Sequence, residues 1–195
     1  MTIGFDVDNV LVDQAGYQLK YGKPYFEQKG YPVVNPDGFD IEDIFGCSHS
    51  EREKFWTKYI WSYCLKEPMT AGAAEVAKKL RAMGHKVVIV TGRAHTTETG
   101  ITGKLFRWML VHWLKKNDFE YDDIFYCSES ESANDKARIC VEQKIDLMID
   151  DKPENLLALK DKLRIVCYPA NWNKNNKELD GYRINSIEDV LEMLQ

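Results

Sequence analysis

The sequence predicts an α/β fold: a parallel sheet with helices on both faces, plus a small, mostly helical insertion after the first strand. Three observations carry that prediction. Short apolar, β-branched runs bounded by turn residues alternate with stretches whose apolar residues recur at helical spacing. Polar groups gather at the carboxyl ends of three of those runs: Asp6 and Asp8, Thr91, and Asp150 and Asp151. Between the first two runs, residues 14 to 70 break the rhythm with a stretch rich in tyrosine, phenylalanine and tryptophan.

The elements follow in order. Thr2 to Val7 reads as a strand that leads directly into the paired aspartates of FDVDNVLV. The insertion spans 14–70 and is too long for a loop. It holds SHSEREKFWTKYIWSYCL, which reads as a helix with Ser48 or Ser50 near its start. Ala73, Ala74, Ala77, Leu80 and Met83 mark a helix that Gly84 stops, and Lys86 to Thr91 is the second strand, broken by Gly92. Leu105, Phe106, Met109, Leu110, Trp113 and Leu114 mark another helix, ending near Asn117.

Asp123 to Cys127 is the third strand, Ala133 to Gln143 a helix, and Asp146 to Ile149 the fourth strand, ending at Asp150 and Asp151. Pro153 stands where a first helical residue is favoured. Leu163 to Tyr168 is the fifth strand, and Ser186 with Asp189 forms a capping pair for SIEDVLEML. The domain expectation is therefore a core of 1–13 and 71–195 with 14–70 as a cap.

Composition narrows the function classes. A net charge of -5 disfavours binding to polymeric nucleic acid, whose affinity comes from Lys and Arg neutralising phosphates. It leaves room for a small phosphorylated substrate, which needs only a few local cations. The start has no basic segment of a signal peptide, and no apolar run reaches the length of about 18 residues that a membrane helix needs. The five cysteines are scattered and odd in number, without a C-x-x-C pair. They are expected to be reduced packing residues of a cytoplasmic protein. The four histidines show no metal-ligand spacing, and the polar run NWNKNNK at 171–177 reads as a solvated loop.

Two carboxylates two residues apart on a regular strand would share a face and repel one another. A divalent cation offsets that repulsion, and Mg²⁺ takes hard oxygen ligands together with water and substrate phosphate. Asp150 and Asp151 deliver a second acidic pair to the same edge, although a pair at the start of a helix also suits the positive end of its dipole. Ligands of such sheets bind outside the carboxyl ends of the strands, where all these groups lie.

These residues together resemble the haloacid dehalogenase (HAD) superfamily of phosphohydrolases. Asp6-Val-Asp8-Asn9-Val10-Leu11 is similar to its first motif, and Thr91, with Gly92 and Arg93 after VVIV, to the second. Lys136 is similar to the third, and LMIDD, with Asp150 and Asp151, to the fourth. IDDKPEN and the aromatic insertion resemble the small 5′-nucleotidase and deoxyribonucleotidase-like group more particularly.

The resemblance implies a Rossmann-like fold and a set of roles. Asp6 is the nucleophile, forming an aspartyl-phosphate, and Asp8 is the general acid and base. Thr91 and the Gly92 amide bind phosphoryl oxygens, and Arg93 reaches substrate, caps the site or pairs at the surface. Lys136 neutralises charge, with Lys152 as the rival lysine. Mg²⁺ is held by Asp6, Asp8 through its main-chain carbonyl, and Asp151, with Asp150 direct or water-bridged. Asn9 departs from the glycine or acidic residue common at its place, and asparagine tolerates the unusual backbone such a position can require.

The expected function is thus a Mg²⁺-dependent phosphomonoesterase, with a (deoxy)nucleoside 5′-monophosphate as substrate. A phosphatase of sugar phosphates or other small metabolites, a phosphotransferase, and a silent nucleotide-binding module are the alternatives. Oligomeric state is not legible.

Overall fold

Residues 86 to 91 show why the strands lie where they do. Val87 and Ile89 join one apolar cluster while Val88 and Val90 join another, so successive side chains enter opposite faces, and every residue of the run after Lys86 is buried. A strand buried on both sides needs helices on both sides. The computed structural model describes residues 1–128 and 132–194.

Its strands are β1 (Thr2–Phe5), β2 (Lys86–Thr91), β3 (Asp123–Tyr126), β4 (Leu147–Asp150) and β5 (Arg164–Cys167). They form one parallel sheet in the order β3-β2-β1-β4-β5. After β1 the chain builds two strands to one side and then two to the other. The crevice between the carboxyl ends of β1 and β4 is the point where the order reverses, the usual ligand position in such sheets.

Three helices are introduced between β1 and the next core helix: α1 (Gln14–Glu27), α2 (Ile41–Phe45) and α3 (His49–Lys66). Each starts at a residue suited to accept an orphan backbone N–H: Asp13, Asp40 and, of the two serines the sequence offers, Ser48. Phe26 stacks on Phe45 and Phe55 with ring centroids 4.7 and 5.5 Å apart, which supplies much of what holds these helices together.

On one face of the sheet lie α4 (Ala73–Ala82), α5 (Gly100–Lys116) and the short α8 (Asp189–Glu192). On the other lie α6 (Ser132–Glu142) and α7 (Pro153–Leu159). Gly84 ends the turn after α4 at φ +85°, a left-handed conformation that glycine adopts without strain. The carboxyl end of α3 is tied to α5, because Trp113 Nε1 donates to the Glu67 carbonyl at 2.7 Å and Lys116 Nζ to that of Leu65 at 3.3 Å.

Several elements are shorter than their sequence patterns, β3 and β5 by one and two terminal residues, and for two others the cause is visible. β1 stops at Phe5 rather than Val7, because the Val7 carbonyl accepts the N–H groups of Val10, Leu11 and Val12 and so closes a tight loop. At the other end, SIEDVLEML yields only the four residues of α8 after a turn. Ile187 and Val190 are buried there, but Glu192 and Met193 face solvent, so little apolar surface holds further turns. The Ser186–Asp189 pair does form, with Ser186 Oγ 3.0 Å from Asp189 Oδ1. All five cysteines are free and buried. Among the described residues, no helix is long and apolar enough to cross a membrane.

Candidate active site

The loop after β1 sets the first two carboxylates apart. Asp6 extends the ladder by one bond, its N–H donating to the Ile149 carbonyl at 3.0 Å, and Asn9 then turns the chain at φ +62°. The Asn9 side chain accepts the Ala15 N–H at 3.0 Å, which fixes that turn against the start of α1. Asp6 and Asp8 are thus not two positions of one regular strand, as the spacing alone implied. Asp6 meets the core side of the site and Asp8 meets α3.

Lys136, brought by α6, is almost fully buried. Its ammonium lies 3.1 Å from Asp6 Oδ2 and 2.6 Å from Asp150 Oδ2. Burial alone would depress this lysine, but Asp150 and Asp6 beside it push its pKa above the ordinary value and keep it charged. Burial pushes the Asp6 carboxyl up to about 7 against the pull of Lys136, with Asp150 and Asp8 adding to the rise. Burial, with the nearby Asp150 and Asp6, likewise raises Asp151 well above the usual carboxylate range, opposed by Lys136.

The adjacent carboxylates at the end of β4 have different surroundings. Asp150 is saturated: it takes Lys136, the Lys152 N–H at 2.8 Å, and Asn155 Nδ2 at 3.1 and 3.0 Å to its two oxygens. Asp151 Oδ2 is buried with no hydrogen-bond partner among the described residues. Asp6, Asp150 and Asp151 offer carboxylate oxygens that all lie within 4.8 Å of one another, the one such metal-capable group among the described residues. Three hard oxygen donors with an orphaned oxygen among them suit a hard divalent cation such as Mg²⁺. Because hydrogen bonds already engage both Asp150 oxygens, Asp6 and Asp151 are the freer donors.

Thr91 ends β2 fully buried, and its hydroxyl also lacks a hydrogen-bond partner among the described residues. A buried hydroxyl without a partner is costly and marks a place where a ligand oxygen would repay the burial. Gly92, next in the chain, lines the cleft. Arg93 is 6% exposed and turns toward α3: Nη1 is 3.4 Å from Asp8 Oδ1, Nη2 donates to Cys64 Sγ at 3.6 Å, and the guanidinium lies 4.7 Å from the Tyr63 ring centre. Lys152 sits on the wall instead, its ammonium 4.9 Å from the Phe39 ring centre.

All of this opens into a cleft of about 700 Å³, within the size range of small-molecule sites. Asp6, Asp8, Lys136 and Asp151 line its floor, while Gln18, Trp56, Ile60 and Tyr63 of α1 and α3 line its roof. Gln18 is buried with its carbonyl oxygen unpartnered.

Sequence reasoning missed three supporting residues. Asn155 grips Asp150, and its signal lay in the IDDKPEN stretch. Asn173, from the run read as a solvated loop, is wholly buried, and its Nδ2 donates to the carbonyls of Asp151 at 2.7 Å and Tyr168 at 2.8 Å. Nothing in a polar run marks which asparagine turns inward. Tyr63 donates its hydroxyl hydrogen to Asp8 Oδ1, a contact across 55 residues that no local pattern encodes.

No protein-family model matches the chain. "Putative nucleotidase OB0422" of Oceanobacillus iheyensis is 25% identical over 98% of this chain and 98% of its own length. Many solved structures are similar, two of them as follows. A predicted phosphoglycolate phosphatase from Haemophilus somnus has a TM-score of 0.67 at 14% identity and covers 100% of this chain and 97% of its own. A HAD-superfamily hydrolase of subfamily IA from Geobacter sulfurreducens has a TM-score of 0.55 at 15% identity and covers 98% of each chain. With its parallel five-stranded sheet in the order β3-β2-β1-β4-β5, the chain has the Rossmann-like fold of these haloacid dehalogenase-type structures.

Proposed function

We propose that the chain is a Mg²⁺-dependent phosphomonoesterase that works through an aspartyl-phosphate on Asp6, with a (deoxy)nucleoside 5′-monophosphate as its substrate. One observation carries the chemistry: Asp6, paired with buried Lys136, stands beside the orphaned oxygen of Asp151 at the floor of the cleft. A carboxylate cannot approach a phosphate dianion without nearby positive charge, and this floor supplies one fixed cation and a place for another.

In the first step an Asp6 oxygen attacks phosphorus as the ester P–O bond breaks. The bonding pair leaves with the alcohol oxygen, which takes a proton from Asp8. In the second step Asp8 removes a proton from water as that water attacks the phosphorus, which releases phosphate and restores Asp6. Splitting one displacement into two is the advantage of the covalent route. Asp6 and Asp151 and, on the resemblance, the Asp8 carbonyl would hold Mg²⁺, which would supply positive charge at the phosphoryl oxygens. Thr91 and the Gly92 amide would receive those oxygens, and Asp150 with Asn155 keeps Lys136 in place.

The nucleotide assignment rests on the roof. Trp56 and Phe39 present aromatic surface to the space where the leaving group must lie, and Gln18, whose amide oxygen has no partner among the described residues, lines it too. The name of the Oceanobacillus relative points the same way. The test is a panel of nucleoside monophosphates, sugar phosphates and p-nitrophenyl phosphate, assayed for released phosphate with Mg²⁺ and with chelator. The expected result is Mg²⁺-dependent release with preference for nucleotides. A preference for sugar phosphates would move the substrate class, and release undiminished by chelator would remove the metal.

A further inference from the structure

Among the described residues, the insertion reaches Asp8 through Tyr63. Tyr63, near the anchored end of α3, is 2% exposed and gives its hydroxyl hydrogen to Asp8 Oδ1, the same oxygen that faces Arg93 Nη1. The Arg93 guanidinium in turn lies against the Tyr63 ring and the neighbouring Cys64 sulfur. A hydrogen bond from Tyr63 and an ion-pair contact from Arg93 therefore converge on one carboxylate oxygen from two different elements. Both contacts are made to Oδ1, and Asp8 lines the cleft.

We infer that Tyr63 is a positioning residue that, with Arg93, fixes the Asp8 carboxyl by its Oδ1 and so presents Oδ2 to the oxygen of the leaving group. This rests on the phosphomonoesterase reading and deepens it, because it assigns a part in proton delivery to the insertion. The position suits the task. The α3 end that carries Tyr63 is pinned to α5 by Trp113 and Lys116, and the Tyr63 ring packs against Tyr17 and Trp56 at 5.0 and 5.5 Å. A donor held this firmly gives a carboxyl one rotamer rather than several, which is the part of catalysis that orientation supplies. In the step concerned, the ester P–O bond breaks, its electron pair goes to the leaving oxygen, and the proton on Asp8 Oδ2 passes to that oxygen.

Tyr63→Phe keeps the ring and its stacking on Arg93 and removes only the hydroxyl. The readout is kcat/KM for two esters: an alkyl phosphate such as a nucleoside monophosphate, whose alkoxide must be protonated to leave, and p-nitrophenyl phosphate, whose phenolate leaves unaided. The expected result is a loss of about tenfold or more on the alkyl ester, the size of one hydrogen bond to a charged group, and less than about threefold on the aryl ester. Asp8→Asn should show the same selective pattern more strongly, and adding Tyr63→Phe to it should cost nothing further. An equal loss on both esters, no loss on either, or an undiminished loss in the Asp8→Asn background would overturn the assignment. Wild-type protein that hydrolyses neither ester would overturn the phosphatase reading as well, so the two failures are told apart by the wild type alone.

Discussion

The floor and the roof of the cleft are built differently. The floor is made at the ends of buried parallel strands, and its charged groups are held by one another: Lys136 between Asp6 and Asp150, Asp150 by Asn155, and the Asp151 carbonyl by Asn173. The roof is made of helices held by ring packing, and the groups it turns toward the cleft, Gln18 and Trp56, are not fixed by polar partners on the floor. A floor so constrained suits a single chemistry, and a roof held by packing can change without disturbing it. On the proposed reading, reaction type belongs to the floor and substrate choice to the roof, and among the described residues Tyr63 is the roof residue bonded to Asp8.

That contrast breaks most visibly at the nucleophile. Asp6→Asn should lower phosphate release by at least about a thousandfold on every ester, since it removes the covalent route itself; activity above a few percent of wild type would reassign the nucleophile. Next in size is Lys136→Ala, which should cost about a hundredfold, as the loss of one preorganised charge does. Lys152→Ala, on the wall beside Phe39, should stay within about threefold, and the reverse order would exchange the two lysines.

The roof should respond in another currency. Trp56→Leu is expected to raise KM for nucleotides about tenfold, the scale of one lost base–aromatic contact, while kcat/KM for p-nitrophenyl phosphate changes by less than about threefold. Parallel losses on both substrates would show that the roof also shapes the chemistry.

The smallest effect concerns the floor without metal. The Asp6 carboxyl is held at about 7 in the fold against an ordinary value of 3.8, so between these the native state binds the extra proton. The stability this confers is complete below about pH 4 and is lost as pH rises through about 7. In chelated protein at pH 8, Asp6→Asn should therefore melt about 2 °C or more above wild type, with the gap closing toward pH 4. A variant that melts below wild type at pH 8 would mean that the lost Lys136 contact outweighs the relief of buried charge.

The same contrast decides what the sequence made legible. β2 and β4 were readable because their apolar runs are buried on both faces, and the strand-end places of Asp6, Thr91 and Asp150 were readable from the same runs. Ser48 at the start of α3 was one of two candidates until the Glu51 N–H chose it. The roof was readable only as aromatic composition, since which rings face the cleft depends on how three helices pack. Arg93 shows the limit within a motif: its place was visible, but its pairing with Asp8, Tyr63 and Cys64 depends on a helix about 30 residues earlier in the chain. Asn173 shows it in a loop, where burial is decided by the carbonyls it reaches.

The most direct measurement is to quench turnover with acid, reduce the protein with borohydride, and sequence the peptide that begins at Met1 by mass spectrometry. An acyl phosphate on Asp6 would appear as homoserine at position 6, in wild type and not in Asp6→Asn. Reduction at another carboxylate, or none under conditions of rapid phosphate release, would contradict a nucleophile at the end of β1.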